Sequence, residues 1–295
     1  MLTLGFGASG AWGSRAISDR QAASVIETAL QNGVRHFDTA GFYQDGRAEY
    51  RLGRALSDLL PALKINQDDI EISVKVGKRH VDGKLVPDAT AEGLSATLDK
   101  SCERLNRERL DIVYLHGPSA AEISNLLPAL EAERAAGRIR AIGICTDGAN
   151  VAMAAAMPNI DILMARLNLF DQGHLSTFAD AKAAGKRTVA IAPLGQALWR
   201  RDLFLPTRPS NMWYLARALM RNREAFFAAQ RLKWIRSFPE WSPAQIAIAY
   251  LRQLEIIDVA VTTTTQPKHL QETVSALTKP VPAKLAERLQ GVMCS

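Results

Sequence analysis

Short runs of apolar and β-branched residues alternate with longer amphipathic stretches along almost the whole chain. Such short runs, bounded by polar and turn-forming residues, are typical of strands. The predicted strands are 2–7, 35–40, 70–76, 110–116, 140–145, 161–168, 188–194 and 258–264. A helical repeat of apolar residues follows each strand, which predicts helices at 18–32, 46–60, 90–105, 121–136, 148–157, 173–184, 242–254 and 267–278.

Two of these helices begin with clear capping sequences. Ser18 stands three residues before Gln21, and Ser242 is followed by Pro243 and, three residues after the serine, by Gln245. Serine accepts hydrogen bonds from the free N–H groups of a first turn, and proline is tolerated at the first helical position. These sequences predict where the two helices start.

Eight strand–helix units predict a closed parallel barrel, because right-handed crossovers place consecutive parallel strands side by side. The alternative is an open doubly wound sheet, which usually carries G-x-G-x-x-G between its first strand and a helix. Gly5, Gly7 and Gly10 stand in the stretch GFGASGAWG, but Ala11 and Trp12 follow where that helix should begin. We therefore predict an α/β protein with a (β/α)8 TIM barrel fold, with 1–295 forming one domain.

Length and composition agree with one large globular domain. The chain has 295 residues, of which 47% are hydrophobic and 22% are charged, and α/β barrels commonly reach this size. The start MLTLGFGASG lacks a basic segment followed by a long apolar one, so we expect no secretion signal and a cytoplasmic location. Cys102, Cys145 and Cys294 are odd in number and far apart, which predicts free thiols and no cysteine-built metal site.

The net charge of +6 is concentrated in one segment. Between Trp199 and Trp241 there are nine arginines or lysines and three acidic residues, and the same segment holds four of the five tryptophans. The rest of the chain is neutral overall, which argues against a nucleic-acid partner. We interpret 199–241 as a long basic aromatic insertion between strand 7 and helix 7, in which Arg200 and Arg201 are candidates to bind a phosphate or an anionic substrate.

Four polar side chains come at or after the ends of three predicted strands. Asp38 ends strand 2, Tyr43 follows it, Lys75 lies near the end of strand 3, and His116 ends strand 4. The carboxyl ends of all strands open on one face of such a barrel, so these residues are expected to meet there. Taken singly, Asp38 could cap a loop, Tyr43 could pack on the rim, and His116 could be a core histidine.

The combination suggests proton transfer at a carbonyl oxygen. A lysine inside a barrel needs a neutralising carboxylate, and Asp38 is placed to supply it for Lys75. The ammonium would in turn lower the pKa of Tyr43 and make it a proton donor, while His116 would orient the substrate oxygen. No nucleophile beside a base and no metal cluster stands out, so hydride transfer from a nicotinamide is the expected partner reaction.

These segments resemble the aldo/keto reductase family. The resemblance is carried by GVRHFDTAGFYQDGRAEYRLGRAL, ISVKVG and DIVYLHGPS, and then by GRIRAIGIC, SPAQIAIAYLRQ and TTTTQPKHLQETVSAL in the same order. It implies a (β/α)8 barrel, a catalytic tetrad of Asp38, Tyr43, Lys75 and His116, and an NADP(H) or NAD(H) cofactor along strands 5 to 8. The style is most similar to the family's bacterial sugar and aldose dehydrogenases. The hairpin that often covers the barrel bottom is expected to be absent.

The resemblance also assigns binding residues, several of them unusual for the family. At the nicotinamide end, Cys145 and Thr146 replace Ser and Asn, Met164 replaces Gln, and Ile191 replaces an aromatic residue. The remaining cofactor positions are Pro193, Leu194, Thr263, Thr264, Thr265, Lys268, His269 and Glu272, and the substrate positions are Trp12, Phe42 and Trp199.

The leading interpretation is an oxidoreductase that interconverts an aldehyde or ketone, such as a sugar, with its alcohol. The changed nicotinamide positions keep two alternatives open: a redox-neutral enzyme for enolisation or elimination, and a nicotinamide-sensing regulatory protein with little turnover. The sequence leaves the substrate, the choice between NADP and NAD, the reaction direction and the oligomeric state undetermined.

Overall fold

A closed barrel of eight parallel strands forms the centre of the molecule, in a computed structural model that describes residues 1–195 and 232–293. The barrel strands are β1 (Thr3–Gly7), β2 (His36–Asp38), β3 (Glu71–Val76), β6 (Leu110–His116), β7 (Ile139–Cys145), β8 (Ile162–Arg166), β9 (Arg187–Ile191) and β10 (Val259–Thr262). They neighbour one another in this order, and β1 closes the ring against β10. The predicted (β/α)8 barrel is confirmed, and the open sheet is excluded.

Helices surround the barrel and alternate with its strands. They are α1 (Gly10–Gly13), α2 (Asp19–Gln31), α3 (Arg47–Ala62), α4 (Ala91–Leu105), α5 (Ala120–Ala135), α6 (Asn150–Ala156), α7 (Leu175–Ala183), α8 (Pro243–Leu254), α9 (Pro267–Ser275) and α10 (Ala283–Met293). Ser18 caps α2 and Ser242 forms a complete capping box with Gln245 in α8, as predicted. Among the described helices, none combines the length and apolarity that crossing a bilayer requires.

Two strands and two helices of the described residues lie outside the predicted pattern. β4 (Lys78–Val81) and β5 (Lys84–Pro87) form an antiparallel hairpin after β3, with Asp82 and Gly83 in its turn at φ 49° and 73°. The hairpin is mostly exposed and lacks a clear apolar alternation, although its Asp-Gly pair is a common turn sequence. Helix α10 follows the eighth unit, and α1 is a single turn in the glycine-rich start.

The basic aromatic insertion is described only from residue 232 onward. A 3-10 helix spans Lys233–Arg236, and Ile235 and Trp241 are buried. Residues 199–231, with Trp199, Arg200 and Arg201, lie outside the described part of the chain.

The barrel interior is divided into a polar and an apolar side. Side chains alternate across each strand, so in β3 Glu71, Ser73 and Lys75 share the inner face while the valines and isoleucine between them pack against helices. On the opposite side, the interior cluster is apolar and comprises Ile112, Tyr114, Cys145, Ile162, Met164, Val189, Val259 and Val261. Lys75 therefore points into the barrel, as Ser73 does. It lies at the mouth because it stands one residue before the end of β3.

Candidate active site

Three strand ends and one loop bring the predicted tetrad to the same mouth of the barrel. Asp38 is the last residue of β2 and His116 the last of β6, while Lys75 stands one residue before the end of β3. Tyr43 lies in the loop between β2 and α3. Because the strands are parallel, these positions lie at the same end of the barrel.

A cavity of about 330 Å³ opens at this mouth, and all four residues line it. We refer to it as the mouth pocket. The rest of its wall is formed by Gly7, Ser9, Cys145, Ile191, Ala192, Pro193, Leu194, Val261, Thr262 and Thr263. Five of the residues expected at the cofactor therefore share a cavity with the tetrad.

Lys75 and Asp38 form a buried ion pair. The Nζ atom of Lys75 donates to Oδ2 of Asp38, and the two side chains are 3% and 6% exposed. Oδ1 of Asp38 accepts a hydrogen bond of 2.8 Å from the Ser73 hydroxyl, and Lys75 also donates to the carbonyl oxygen of Thr39 at 3.3 Å. Burial lowers the pKa of Lys75, but the Asp38 carboxylate outweighs it and holds this pKa above its ordinary value. Lys75 is therefore a cation at neutral pH.

Tyr43 lies beside this cation, but the net shift of its pKa is upward. The Lys75 Nζ atom is 5.3 Å from the centre of the Tyr43 ring. Burial raises the pKa of Tyr43 above its ordinary value, and Lys75 offsets only part of this rise. Lys75 lowers the pKa of Tyr43 as expected, but the net shift is upward, because moving a phenolate out of water costs more free energy than its attraction to one ammonium recovers. Tyr43 is thus a neutral phenol with a proton to donate.

His116 is kept neutral in the same pocket. Burial, and then the positive charge of Lys75, lower its pKa to about 4. Its Nδ1 atom is buried and has no hydrogen-bond partner among the described residues. The ring of Phe42 lies 5.0 Å from both the His116 and the Tyr43 ring centres. A neutral imidazole can donate one hydrogen bond to a substrate oxygen without adding a charge.

The residues expected at the nicotinamide end lie on or directly after β7, β8 and β9 and are mostly apolar. Cys145 is 3% exposed, and burial raises the pKa of its thiol to about 12. Met164 is fully buried in the barrel interior, and its carbonyl oxygen accepts the Thr146 N–H at 3.0 Å. Ile191 is half-buried and lines the mouth pocket. Of these residues, Cys145 and Ile191 line the mouth pocket, whereas Thr146 is buried with an exposed fraction of 6%.

The residues expected at the phosphate end lie between β10 and α9. The Thr263 hydroxyl donates to the Gly7 carbonyl oxygen at 2.8 Å, and the Thr264 hydroxyl accepts the Gln266 N–H at 3.1 Å. The carbonyl oxygen of Thr265 is also held, by a hydrogen bond of 3.0 Å from the side chain of Gln21.

Helix α9 then begins without a side-chain cap. Lys268 and His269 are exposed on its first turn, and Glu272 is half-buried on the next. Free N–H groups and a cation at a helix N-terminus suit an anion.

The candidate substrate residues have different surroundings. Phe42 stands beside Tyr43 and His116, whereas Trp12 is fully buried. The Trp12 indole N–H donates to the carbonyl oxygen of Ala22 at 3.2 Å, and its ring meets Phe6 edge to face at 5.5 Å. Trp12 thus packs in the core and is not among the residues that line the mouth pocket, so its assignment to the substrate stays a prediction. Trp199 lies outside the described residues.

Sequence reasoning missed two residues in or beside the mouth pocket. Ser73 holds Asp38 in place, and its position two residues before Lys75 was a readable signal because both must face inward. Ala192 follows β9 with φ 52°, an uncommon backbone conformation for a residue with a side chain. Nothing in its sequence neighbourhood indicates that conformation.

Comparisons with known proteins agree with this architecture. The aldo/keto reductase family model matches residues 3–293. A D-threo-aldose 1-dehydrogenase of a Pseudomonas species is 32% identical over 197 residues, which cover 57% of this chain and 58% of that protein. A probable aldo-keto reductase of Glycine max is 24% identical over 300 residues, covering 97% of this chain and 82% of that protein. The matched region is thus less than two thirds of the first relative.

A solved structure shows a similar fold. The glycerol dehydrogenase of Gluconobacter oxydans superposes with a TM-score of 0.78 at 18% identity, over 99% of this chain and 91% of that one. At this identity the likeness concerns the fold alone.

Proposed function

The chain belongs to the aldo/keto reductase family, and we propose that it is an NAD(P)-dependent oxidoreductase that interconverts an aldehyde or ketone with its alcohol. The observation that carries the proposal is the mouth pocket, in which a buried Lys75–Asp38 ion pair, a neutral phenol and a neutral imidazole surround one cavity. Each group has a role in moving one proton to or from a carbonyl oxygen.

Tyr43 supplies the proton in the direction of reduction. Its raised pKa keeps the phenol protonated until a developing alkoxide takes the proton. The Lys75 ammonium stabilises the phenolate that remains, and this stabilisation is largest when the negative charge is formed. Asp38, fixed by Ser73, keeps Lys75 charged and in place.

His116 polarises and orients the substrate oxygen. With a pKa of about 4 it is neutral at physiological pH, so it can donate a hydrogen bond without competing with Tyr43 for the role of acid. Phe42 lies against both rings and would cover the bound carbonyl compound on that side.

The residues of this chain fit a nicotinamide dinucleotide. The wall of Cys145, Ile191, Pro193 and Leu194 borders the tetrad and offers a mostly apolar surface to a nicotinamide ring. The uncapped start of α9, with Lys268 and His269 exposed, suits the phosphates at the other end. When bound, the cofactor supplies or accepts the hydride at the carbonyl carbon. The proposed binding residues also include Thr146, Met164, Thr263, Thr264, Thr265 and Glu272.

The proposed substrate is a polar carbonyl compound, such as an aldose. Support comes from the similarity to a D-threo-aldose 1-dehydrogenase and from a mouth pocket whose wall includes the imidazole of His116 and the phenol of Tyr43. We propose that the enzyme acts in the cytoplasm on this small molecule.

A binding and turnover assay tests the function. The purified protein is titrated with NADPH and with NADH while energy transfer from tryptophan to the nicotinamide is followed, and a panel of aldoses, aldehydes and ketones is then added. We expect saturable binding of at least one nucleotide and its oxidation only when a carbonyl compound is present. Absence of binding to both nucleotides would contradict the proposal and favour redox-neutral chemistry.

A further inference from the structure

The loop that carries Tyr43 has an unusual backbone. Gln44, Asp45 and Gly46 follow one another with φ of 53°, 55° and 84°. A residue with a side chain in this left-handed region carries strain on the order of 1 kcal/mol or more, and persists there only where its surroundings hold it. The position of Tyr43 therefore depends on contacts that fix the loop.

A buried carboxylate beside the loop provides such contacts. Glu49, in the first turn of α3, has a side chain that is 0% exposed. Oε1 of Glu49 accepts a hydrogen bond of 2.8 Å from the Ser101 hydroxyl, and Oε2 accepts one of 3.1 Å from Nη1 of Arg104. Both donors belong to α4, so the carboxylate ties the start of α3 to the neighbouring helix.

The Arg104 guanidinium also covers both ends of the Tyr43 loop. A Cβ atom added to Gly46 would lie 2.2 Å from Cζ of Arg104. One added to Gly41 would lie 3.6 Å from Nη1 of Arg104 and 3.6 Å from Oε2 of Glu49. The loop backbone at Gly41 and Gly46 thus packs against the ion pair, with Tyr43 between these two points.

We propose that Arg104, held by the buried carboxylate of Glu49, is a positioning residue that fixes the loop of Tyr43 in its reactive place. The inference rests on the proposed function of Tyr43 as the proton donor. Arg104 touches neither substrate nor cofactor in this role. It restricts the conformations that the loop can adopt. Such a restriction affects the rate because a displacement of about 1 Å at a reacting group can lower the rate about 100-fold.

The first test compares two arginine variants. Arg104→Ala removes the contact with Glu49 and the loop, and Arg187→Ala is the matched control. Arg187 contacts Glu71 at 2.5 Å near the other end of the barrel, and it is 35% exposed where Arg104 is 30% exposed. We expect kcat to fall about 10- to 100-fold in Arg104→Ala, with KM and nucleotide affinity nearly unchanged, and to stay near wild type in Arg187→Ala.

A readout that needs no turnover accompanies the kinetics. Hydrogen–deuterium exchange of peptides covering 40–46 should become faster in Arg104→Ala and remain unchanged in Arg187→Ala. Low concentrations of free guanidinium should restore part of the lost kcat in Arg104→Ala, whereas methylammonium should not, because the vacated site is planar and borders solvent. Equal kcat losses in the two variants, or unchanged exchange in 40–46, would overturn the proposal.

A glycine pair tests the same contact if Arg104→Ala fails to fold. Gly46→Ala places a methyl group against the guanidinium, whereas Gly33→Ala imposes a similar backbone strain at φ 79° with no atom within 4 Å. We expect Gly46→Ala, but not Gly33→Ala, to lower kcat and to make hydrogen–deuterium exchange in 40–46 faster. Equal behaviour of the two variants would contradict the role of Arg104.

The two proposals fail in different ways. If the wild-type protein binds no nucleotide and reduces no carbonyl compound, the proposed function is wrong, and the exchange data alone decide whether Arg104 fixes the loop. If the wild type turns over and Arg104→Ala matches Arg187→Ala, the function stands and the positioning role is wrong.

Discussion

Burial and one ion pair set the charges of the side chains in the mouth pocket. Lys75 stays cationic because Asp38 compensates its burial, whereas Tyr43 and His116 stay neutral because nothing compensates theirs fully. One cation beside one neutral acid is the arrangement that proton donation to a carbonyl oxygen needs. The charge of each side chain, and with it the proposed proton transfer, thus depends on whether a neighbouring charge offsets its burial.

The lowered pKa of His116 makes stability depend on pH. The folded state holds His116 neutral down to about pH 4, while the unfolded chain takes up a proton near pH 6.5. Between these values the unfolded state binds more protons, so stability falls as pH falls. We expect a loss of up to about 3 kcal/mol across this window in urea unfolding of the wild type.

The matching variant is His116→Asn, which cannot titrate. Its unfolding free energy should decline less than that of the wild type between about pH 6.5 and about pH 4. Parallel pH profiles for the two proteins would show that His116 is not held neutral by the fold.

Asp38 is expected to be essential for stability as well as for chemistry. Asp38→Asn keeps the shape but leaves the Lys75 ammonium buried without a counter-charge, which should cost about 3–5 kcal/mol of unfolding free energy. The double variant Asp38→Asn with Lys75→Met removes both charges and should recover much of that loss in denaturant unfolding. Additive losses in the double variant would mean that the two charges do not interact.

Residue types and strand alternation were enough to predict that Asp38, Tyr43, Lys75 and His116 point to one mouth. They were not enough to give the direction of the net pKa shift of Tyr43, because that depends on how completely the Tyr43 side chain is buried, which local sequence does not encode. The full burial of Trp12 was not predicted either, because it results from contacts with β1 and α2 that the sequence pattern does not specify.

At the scale of elements, one helical glycine allows two helices to pack closely. Gly53 lies in the middle of α3, and a Cβ atom there would be 2.3 Å from the Arg104 carbonyl oxygen at the end of α4. The hairpin β4–β5 shows the opposite case: its exposed residues carry no core pattern, so the regular strand–helix alternation passed over it. Closely packed elements can thus be recognised in the sequence by a glycine at the contact. Exposed elements such as the β4–β5 hairpin are marked by little more than the Asp-Gly pair of the turn.

Replacing Gly53 by alanine should destabilise the protein even though alanine is the better helix former. The propensity gain is about 1 kcal/mol, whereas forcing the α3–α4 contact apart costs about 1–3 kcal/mol or more. Gly291→Ala in α10, where nothing lies within 4 Å, should instead be neutral or stabilising. Thermal unfolding of both variants checks this, and a stabilised Gly53→Ala would refute the close contact.

At the scale of the whole molecule, the closed barrel is what makes the tetrad possible. Eight strand–helix units could be counted in the sequence, and the closure of β1 on β10 follows from that number. The proposed nicotinamide contacts were less predictable, because Cys145, Met164 and Ile191 replace polar and aromatic residues of the family pattern and their exposure to the pocket depends on interior packing. The structure places Met164 in the core and leaves Cys145 and Ile191 on the pocket wall.

Single-turnover kinetics of Tyr43→Phe with bound nucleotide test whether Tyr43 donates the proton in carbonyl reduction. The substitution removes the donated proton and leaves the aromatic ring, the Lys75–Asp38 pair and the rest of the mouth pocket in place. We expect nucleotide affinity equal to that of the wild type and carbonyl reduction slower by about 100-fold or more. A variant that binds the nucleotide and reduces the carbonyl at the wild-type rate would show that the proton comes from another group.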